Sequence, residues 1–505
     1  MEEEYTLDDP TLLLQAASDF GHHPGVHSDA SAKAFLHRFP LPVIINVLQT
    51  KADVPGVEST LVACLERIFC TKHGASLIPQ YMVSCLLENF GENTIPAAQL
   101  IVEHDIYPLL LDCLINGNEQ VATASMDAIK SLAGSFEGME IIFPANDNEA
   151  THLRNLAARC SSLGRVRVLA LVVKLFSVSS SVASLIHNSD LLNLLEAEVC
   201  NTDDTLVTLS VLELLYELAE IQHGTEFLPR TTLVQLLSSI IGNTSMESIL
   251  RSRAMMISGR LLSKENIFKF IDESCVKTVI SLIDGRLRSL ESQDADECES
   301  ALEALGQIGS SIHGAELLLL SSPPAARHVI DAAFDRQGRG RQLAALHALG
   351  NISGETRSEN KIMLNNDAEE SLQHLIYESA SKSPKLTPSG LFLSVLQQDA
   401  EVRLAGYRVI TGLVARPWCL MEICSKQEIV NIITGAHSET TKIGMEAKYN
   451  CCKAIHWVFM SSSKLTSDPA LTGIAEKLQE AVRRGPYLAR KLQEAQPLVM
   501  TADRF

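Results

Sequence analysis

The chain has 505 residues, of which 46% are hydrophobic, 20% charged and only 5% aromatic, and its formal net charge is −19. This apolar content excludes disorder over most of the chain. The negative charge argues against a general nucleic-acid or anionic-membrane surface, because phosphates would be repelled. Long stretches rich in Leu, Ala, Val, Ile, Ser and Glu favour helices over strands, so the first expectation is an all-α protein.

The N-terminal stretch begins Met1-Glu2-Glu3-Glu4 and has no basic region followed by an apolar one, so no secretory signal is indicated. Apolar runs are too short for a membrane span. We therefore expect an intracellular, cytoplasmic protein, with the nucleus left open as a second location. Residues 1–30 are predicted to be an irregular acidic segment containing His, Gly and Pro, residues 31–499 a single repeat domain, and residues 500–505 a polar tail.

Eight amphipathic stripes, with apolar or small residues at i, i+3, i+4 and i+7 and a looser match at Leu250, where Arg253 stands at i+3, predict helices along the chain. They start at Val121, Val166, Val207, Leu250, Ala301, Ala345, Val402 and Ala447, at intervals of 41 to 57 residues. A recurrence near 40 to 47 residues is typical of HEAT and armadillo units. The pattern predicts an armadillo/HEAT-like, right-handed α-solenoid of roughly ten to twelve repeats. The two long intervals are attributed to loop insertions near 291–300 and 381–390.

A short glycine motif follows several stripes and consists of a polar residue, Gly, two variable residues and two apolar ones. Its glycines are Gly74, Gly138, Gly224 and Gly314. We interpret them as turn residues that end one helix with a positive φ before the apolar pair starts the next.

No motif for catalysis, phosphate binding or zinc binding is found in the sequence. The twelve cysteines include no Cys-x-x-Cys pair and are interpreted as small core residues in a reducing compartment. We expect no enzyme activity, no metal site and no cofactor. Arg336, Arg339 and Arg341 form a small basic spot in an acidic chain, which makes them candidates for binding an acidic partner segment, although a solvated loop is the favoured interpretation.

The only two tryptophans, Trp418 and Trp457, lie in the last fifth of the chain. They are interpreted as core or end-cap residues, with a partner-facing role as the alternative.

The C-terminal third resembles the non-ATPase regulatory subunit 5 group of the 26S proteasome, a family of helical-repeat assembly chaperones. The resemblance rests on three motifs in matching order and spacing, and its residues are assigned a structural role: Pro417 and Trp418 within Ala415–Trp418; Ala447, Lys448 and Tyr449 within Glu446–Tyr449; and Gly485, Pro486 and Tyr487 within Arg484–Tyr487.

The resemblance implies a non-catalytic protein that binds the C-terminal domain of one AAA-ATPase subunit of the proteasome base while the regulatory particle is built. Such a protein also meets associated base subunits and leaves before the proteasome is complete. It uses the concave surface of its solenoid, where partners of such folds usually dock. The alternative from another class is a generic armadillo scaffold or a ubiquitin-ligase adaptor for a different protein.

Overall fold

The computed structural model describes residues 11–23, 25, 28–51, 54–75, 106–144, 152–201, 204–289, 294–358, 362–385, 387–435, 439–462, 466 and 471–487. All regular elements within these ranges are helices, which confirms the all-α expectation. The chain divides into two compact units, Met1–Leu233 and Val234–Phe505.

The N-terminal unit contains helices that pack chiefly on neighbours close in sequence. They are α1 (Thr11–Gly21), α2 (Asp29–Arg38), α3 (Leu41–Thr50), α4 (Val57–Phe69), α5 (Lys72–Ala75), α6 (Ile106–Asn116), α7 (Glu119–Leu132), α8 (Phe136–Ile142), α9 (His152–Arg159), α10 (Ser162–Phe176), α11 (Ser180–Asn188), α12 (Leu192–Asn201), α13 (Thr205–Glu220) and α14 (Gly224–Phe227). In the later part of the N-terminal unit, α10 is the central helix: α6, α7, α9 and α13 all pack against it.

The C-terminal unit holds the remaining helices, the first of which begins at the boundary itself. They are α15 (Leu233–Gly242), α16 (Ser248–Leu262), α17 (Glu273–Ser289), α18 (Ala295–Ile308), α19 (Ile312–Leu320), α20 (Ala326–Phe334), α21 (Arg339–Ser353), α22 (Asn366–Lys382), α23 (Pro388–Leu396), α24 (Ala400–Leu413), α25 (Pro417–Ser425), α26 (Gln427–Thr434), α27 (Lys442–Ser461) and α28 (Thr472–Arg484).

All eight predicted stripes lie on helices, one stripe to a helix: α7, α10, α13, α16, α18, α21, α24 and α27. Their apolar positions form the core, as at Ala301, Leu305 and Ile308, which have no exposed surface. The periodic pattern therefore located the core helices of both units.

A row of five helices organises the C-terminal unit. Helices α16, α18, α21, α24 and α27 pack on one another in chain order, and we call them the inner row. Helices α17, α20, α23 and α26 pack against members of this row. Gly306 permits the close approach within the row, because a Cβ atom there would lie only 2.5 Å from the Cα of Ala348. The unit is thus a stack of helices in two layers, as in armadillo and HEAT repeats.

The glycine motif has a different physical basis from the one predicted. Gly74, Gly138, Gly224 and Gly314 do not have positive φ; they lie inside the first turn of the next helix. At Gly138 and Gly314 a serine three residues earlier caps that turn, and a Cβ would approach the carbonyl oxygen of Leu132 or Ile308 to 1.9 or 2.0 Å. Positions 138 and 314 require glycine because the end of one helix and the start of the next are in van der Waals contact there, which leaves no room for a Cβ atom.

Two boundary predictions are also corrected. The segment 1–30 is not irregular throughout, because α1 spans Thr11–Gly21 and buries Leu13 and Ala17. The insertion near 291–300 is shorter than predicted, since α18 already begins after its cap residue Asp294. Glu297, in the first turn of α18, is buried and pairs with Arg251 and Arg286. Near 381–390, one helix ends at Lys382 and the next begins at Pro388. The tail 500–505 lies outside the described residues, and the single solenoid over 31–499 stays a prediction.

Candidate protein-binding surface

The inner row presents one side to solvent. On each of its helices the buried residues occupy one side, and at 100° per residue the opposite side carries half-buried or exposed residues. We call this side the open face; it comprises Arg253 and Arg260 of α16, Glu303 and Gln307 of α18, His347 and Asn351 of α21, Arg408 and Thr411 of α24, and Lys453 and Trp457 of α27.

Hydrogen bonds tie neighbouring helices together on the open face. The Arg408 guanidinium donates to Nδ1 of His347 and to Oε2 of Glu355, both at 2.8 Å. Burial and the charge of Arg408 lower the pKa of His347. The imidazole therefore stays neutral to lower pH than an ordinary histidine and accepts the hydrogen bond. These hydrogen bonds hold the middle of the open face in a fixed arrangement.

The last helix of the row exposes large apolar side chains. Trp457 is 67% exposed, and on the same side of α27 Met460 is 54% and Ile443 69% exposed. The opposite side of α27 buries Cys451, Ile455 and Phe459 against its neighbours. The core interpretation of Trp457 is therefore wrong. An exposed indole beside Lys453 combines apolar area with a rigid ring, which is the chemistry of interface anchors.

The three predicted arginines lie around the start of α21 and differ in their surroundings. Arg336 is exposed, and Arg341 is half-buried. The guanidinium of Arg339 already contacts two carboxylates at the start of α24, with Nε 3.2 Å from Asp399 Oδ2 and Nη2 beside Glu401. Arg339 is exposed and links two helices of the inner row, and Arg336 is exposed as well.

The first family motif lies where α24 turns into α25. Pro417 is exposed at the start of α25, and Trp418 is half-buried with its ring edge-on to Tyr377, 5.8 Å between centroids. Arg416, to which the sequence interpretation gave no role, is only 1% exposed and donates to Glu369 and to the carbonyl oxygens of Ser353 and Gly412.

The second and third motifs meet each other. Lys448, Tyr449, Gly485 and Pro486 line a common cavity of about 30 Å³ between α27 and the end of α28. Lys448 Nζ donates to the Gly435 carbonyl oxygen at 2.6 Å, and burial lowers its pKa. Tyr487, 47% exposed, donates its hydroxyl hydrogen to Glu446. Ala447 lies half-buried on α27.

Sequence reasoning missed the role of arginines that close the helix ends, among them the half-buried Arg357. Arg357 donates to six carbonyl oxygens, including those of Gly309, Ser310 and Asn351, at the ends of α18 and α21. Burial and the nearby charge of Arg416 lower its pKa to about 10. An arginine after a helix C-terminus was the only available signal, and surface arginines share it.

Over the described ranges, no group of three or more His, Cys, Asp or Glu residues could hold a metal ion. No helix in that part of the chain combines the length and the apolar content that crossing a membrane requires.

The stacked helix pairs and the polar open face define an all-α helical-repeat protein of the armadillo type. A sequence profile described as the proteasome non-ATPase 26S subunit matches residues 83–501. The chain belongs to that family. Similar curated proteins are the 26S proteasome non-ATPase regulatory subunit 5 of Homo sapiens and of Mus musculus, each 20% identical over 407 residues, which are 79% of this chain and 76% of the relative.

Solved structures with similar backbones include an engineered protein, with a TM-score of 0.43 and 15% identity over 87% of this chain and 97% of that one. Another is a designed armadillo repeat protein in complex with a (KR)4 peptide, with a TM-score of 0.38 and 13% identity over 52% of this chain and 98% of that one. Both TM-scores are below 0.5, so the fold is assigned from the helix packing of this chain and not from these similarities.

Proposed function

We propose that this protein is a non-catalytic chaperone for assembly of the base of the 26S proteasome regulatory particle. In this proposal it binds the C-terminal domain of one base AAA-ATPase subunit, together with associated base subunits, in the cytoplasm, with the nucleus as a second location left open, and dissociates before the mature proteasome forms. Membership of the proteasome non-ATPase 26S subunit family supports a role connected with the 26S proteasome.

The open face of the inner row is the surface that we assign to the ATPase subunit. The observation that carries this assignment is the exposed indole of Trp457, beside exposed Met460 and Ile443 on α27, next to the polar open-face residues of the other four helices. A folded partner domain can cover such a surface, with Trp457 as the apolar anchor and residues such as Arg260 and Arg408 at the polar contacts. Arg336 is proposed as a contact at the outer edge.

An affinity purification from cell extract tests the function. The tagged chain should recover base ATPase subunits and other base subunits but not the proteolytic core particle. Trp457→Ala should reduce ATPase recovery, while the exposed-arginine variant Arg483→Ala should not. Recovery of unrelated proteins without base ATPases would favour a generic scaffold, and stable recovery of complete proteasomes would contradict dissociation.

The non-catalytic part of the proposal has its own test. No phosphate-binding loop occurs in the sequence, so calorimetric titration with Mg-ATP should give no heat of binding. Saturable binding in the micromolar range would overturn it.

A further inference from the structure

A cleft of about 380 Å³ lies on the outer layer of the C-terminal unit, away from the open face. Helix α17 forms one wall through Lys277, Ile280, Asp284 and Arg288, and Leu317 and Leu320 of α19 form part of the other. The four residues of α17 follow one another at helical spacing along a single side. The volume is that of pockets which hold small ligands or a few peptide side chains.

Buried contacts fix the cation at one end of this cleft. Asp284 has a side chain only 3% exposed, and its Oδ2 accepts hydrogen bonds from both Nε and Nη2 of Arg288. Its other oxygen lies 2.7 Å from Nδ1 of His328 on α20. Arg288 is itself 49% exposed. A half-exposed guanidinium is thus oriented by a buried carboxylate that a second helix holds in place.

The apolar part of the cleft lies next to this guanidinium. Arg288 reaches back one turn to Asp284, so its charge lies over the turn beside Ile280, and Lys277 flanks Ile280 from the other direction. Lys277 pairs with Glu273 on the same exposed side, at 61% and 50% exposure, and such pairs contribute little. Leu320 adds an apolar wall that is 48% exposed. Two cations therefore border an apolar floor.

We propose that this cleft binds the free C-terminal carboxylate of a peptide whose last side chain is apolar. Arg288 holds the carboxylate, Ile280, Leu317 and Leu320 contact the side chain, and Lys277 adds positive charge on the far side of Ile280. In the last residue of a peptide, the carboxylate and the side chain are attached to the same Cα atom and so lie a few ångströms apart. In the cleft, the cation and the apolar contacts are likewise about one helical turn apart. An internal acidic residue would instead need room for the backbone on both sides. The site is separate from the proposed ATPase-binding face and does not depend on it.

Photo-crosslinking to the full-length protein tests this site. The probe is an acetylated tetrapeptide, Ala-Ser-Gly followed by photo-leucine, prepared as the free acid, as the C-terminal amide, and as an amide with Asp in place of Gly. The free acid should label α17 and α19 about tenfold more than its amide, the loss expected for charge-assisted hydrogen bonds. Arg288→Gln should reduce labelling similarly, and Leu320→Asp should also reduce it.

Arg483→Gln is the matched control, because it removes an equally charged, exposed guanidinium from α28 and should leave labelling unchanged. Thermal unfolding of each variant verifies that the fold is intact. Equal labelling by acid and amide, or full labelling of Arg288→Gln, would overturn carboxylate recognition. Stronger labelling by the internal-Asp amide than by the free acid would overturn the choice of a chain terminus.

Discussion

The guanidinium of Arg416 donates from Nε to Oε2 of Glu369 at 2.6 Å and from Nη2 to Oε1 of the same carboxylate at 2.9 Å. Its third nitrogen donates to the carbonyl oxygens of Ser353 and Gly412 at 3.0 and 2.8 Å. One side chain therefore joins the C-terminal ends of α21 and α24 to the first turn of α22. A residue of a family motif is, in this structure, a junction between repeats.

Arg416→Ala should strongly destabilise the C-terminal unit. It would leave the Glu369 carboxylate without its buried partner, which costs about 3 to 5 kcal/mol. Urea unfolding measures the effect, with Arg483→Ala as a surface control that should change the midpoint little because its ion pair with Glu480 is exposed. Equal midpoints for the two variants would contradict the junction role.

Gly314→Ala should destabilise the same unit by about 1 to 3 kcal/mol, since the added methyl group collides with the Ile308 carbonyl at 2.0 Å. Gly285→Ala is the matched control. It lies within α17, and its added Cβ has no neighbour within 4 Å, so stability should rise by about 0.5 to 1 kcal/mol. Chemical denaturation of both variants checks the opposite signs. If Gly314 were a positive-φ turn residue, the loss of stability in Gly314→Ala would come from backbone strain alone and would not depend on the contact with Ile308.

The stability contributed by Glu297 should depend on pH. Burial alone raises the pKa of its carboxyl group, but hydrogen bonds and charge from Arg251 and Arg286 outweigh burial and hold the pKa below 4.5. A carboxyl whose folded pKa is lowered contributes stability above its unfolded pKa, and loses it as pH falls through the folded value.

Glu297→Gln should therefore be less stable than the wild type at pH 7, with the difference shrinking as pH falls below about 4.5. Urea midpoints at pH 7, 5, 4 and 3 provide the measurement. A difference that stays constant over this range would show that the charge of Glu297 does not contribute.

Trp457→Ala should leave the thermal unfolding temperature almost unchanged and weaken binding of the ATPase C-terminal domain, because its ring is 67% exposed. Phe459→Ala, two residues on along α27, should instead cost about 3 to 5 kcal/mol, since that ring is 1% exposed. Calorimetry and a binding assay on both variants separate the two effects. If Trp457→Ala binds the domain like the wild type, α27 does not contribute the anchor.

Thiol labelling at pH 8 should separate the cysteines by location. Burial raises the pKa of Cys64 to about 12 and that of Cys419 and Cys451 above the ordinary value of 9.0. The exposed Cys70 and Cys200 should react before these three buried cysteines, since the thiolate is the reactive form and must be accessible. Mass spectrometry of the labelled peptides gives the order, and early modification of Cys419 would contradict the packing of α25.

The helices of the core could be predicted from the sequence because their signal is local. An apolar side on a helix repeats every three to four residues, so the stripes beginning at Ala301 and Ala345 indicated helices without knowledge of their neighbours. The recurrence of the stripe indicated stacking, since one helix pair cannot bury its own apolar side. The many Ala residues in the stripes and the low aromatic content also indicated that the stacked helices lie close together.

The tertiary structure alone decided which side chains link the layers and which stay exposed. Arg416 and Arg339 have the same chemistry in the sequence, yet the first is buried among carbonyl groups and the second joins two carboxylates at the surface. Trp418 and Trp457 likewise end in different surroundings. These outcomes depend on helices 40 to 60 residues away, such as the pairing of Arg416 with Glu369, 47 residues earlier. Local periodicity fixes which side of a helix is apolar, whereas burial of a polar group depends on partners brought to it by packing.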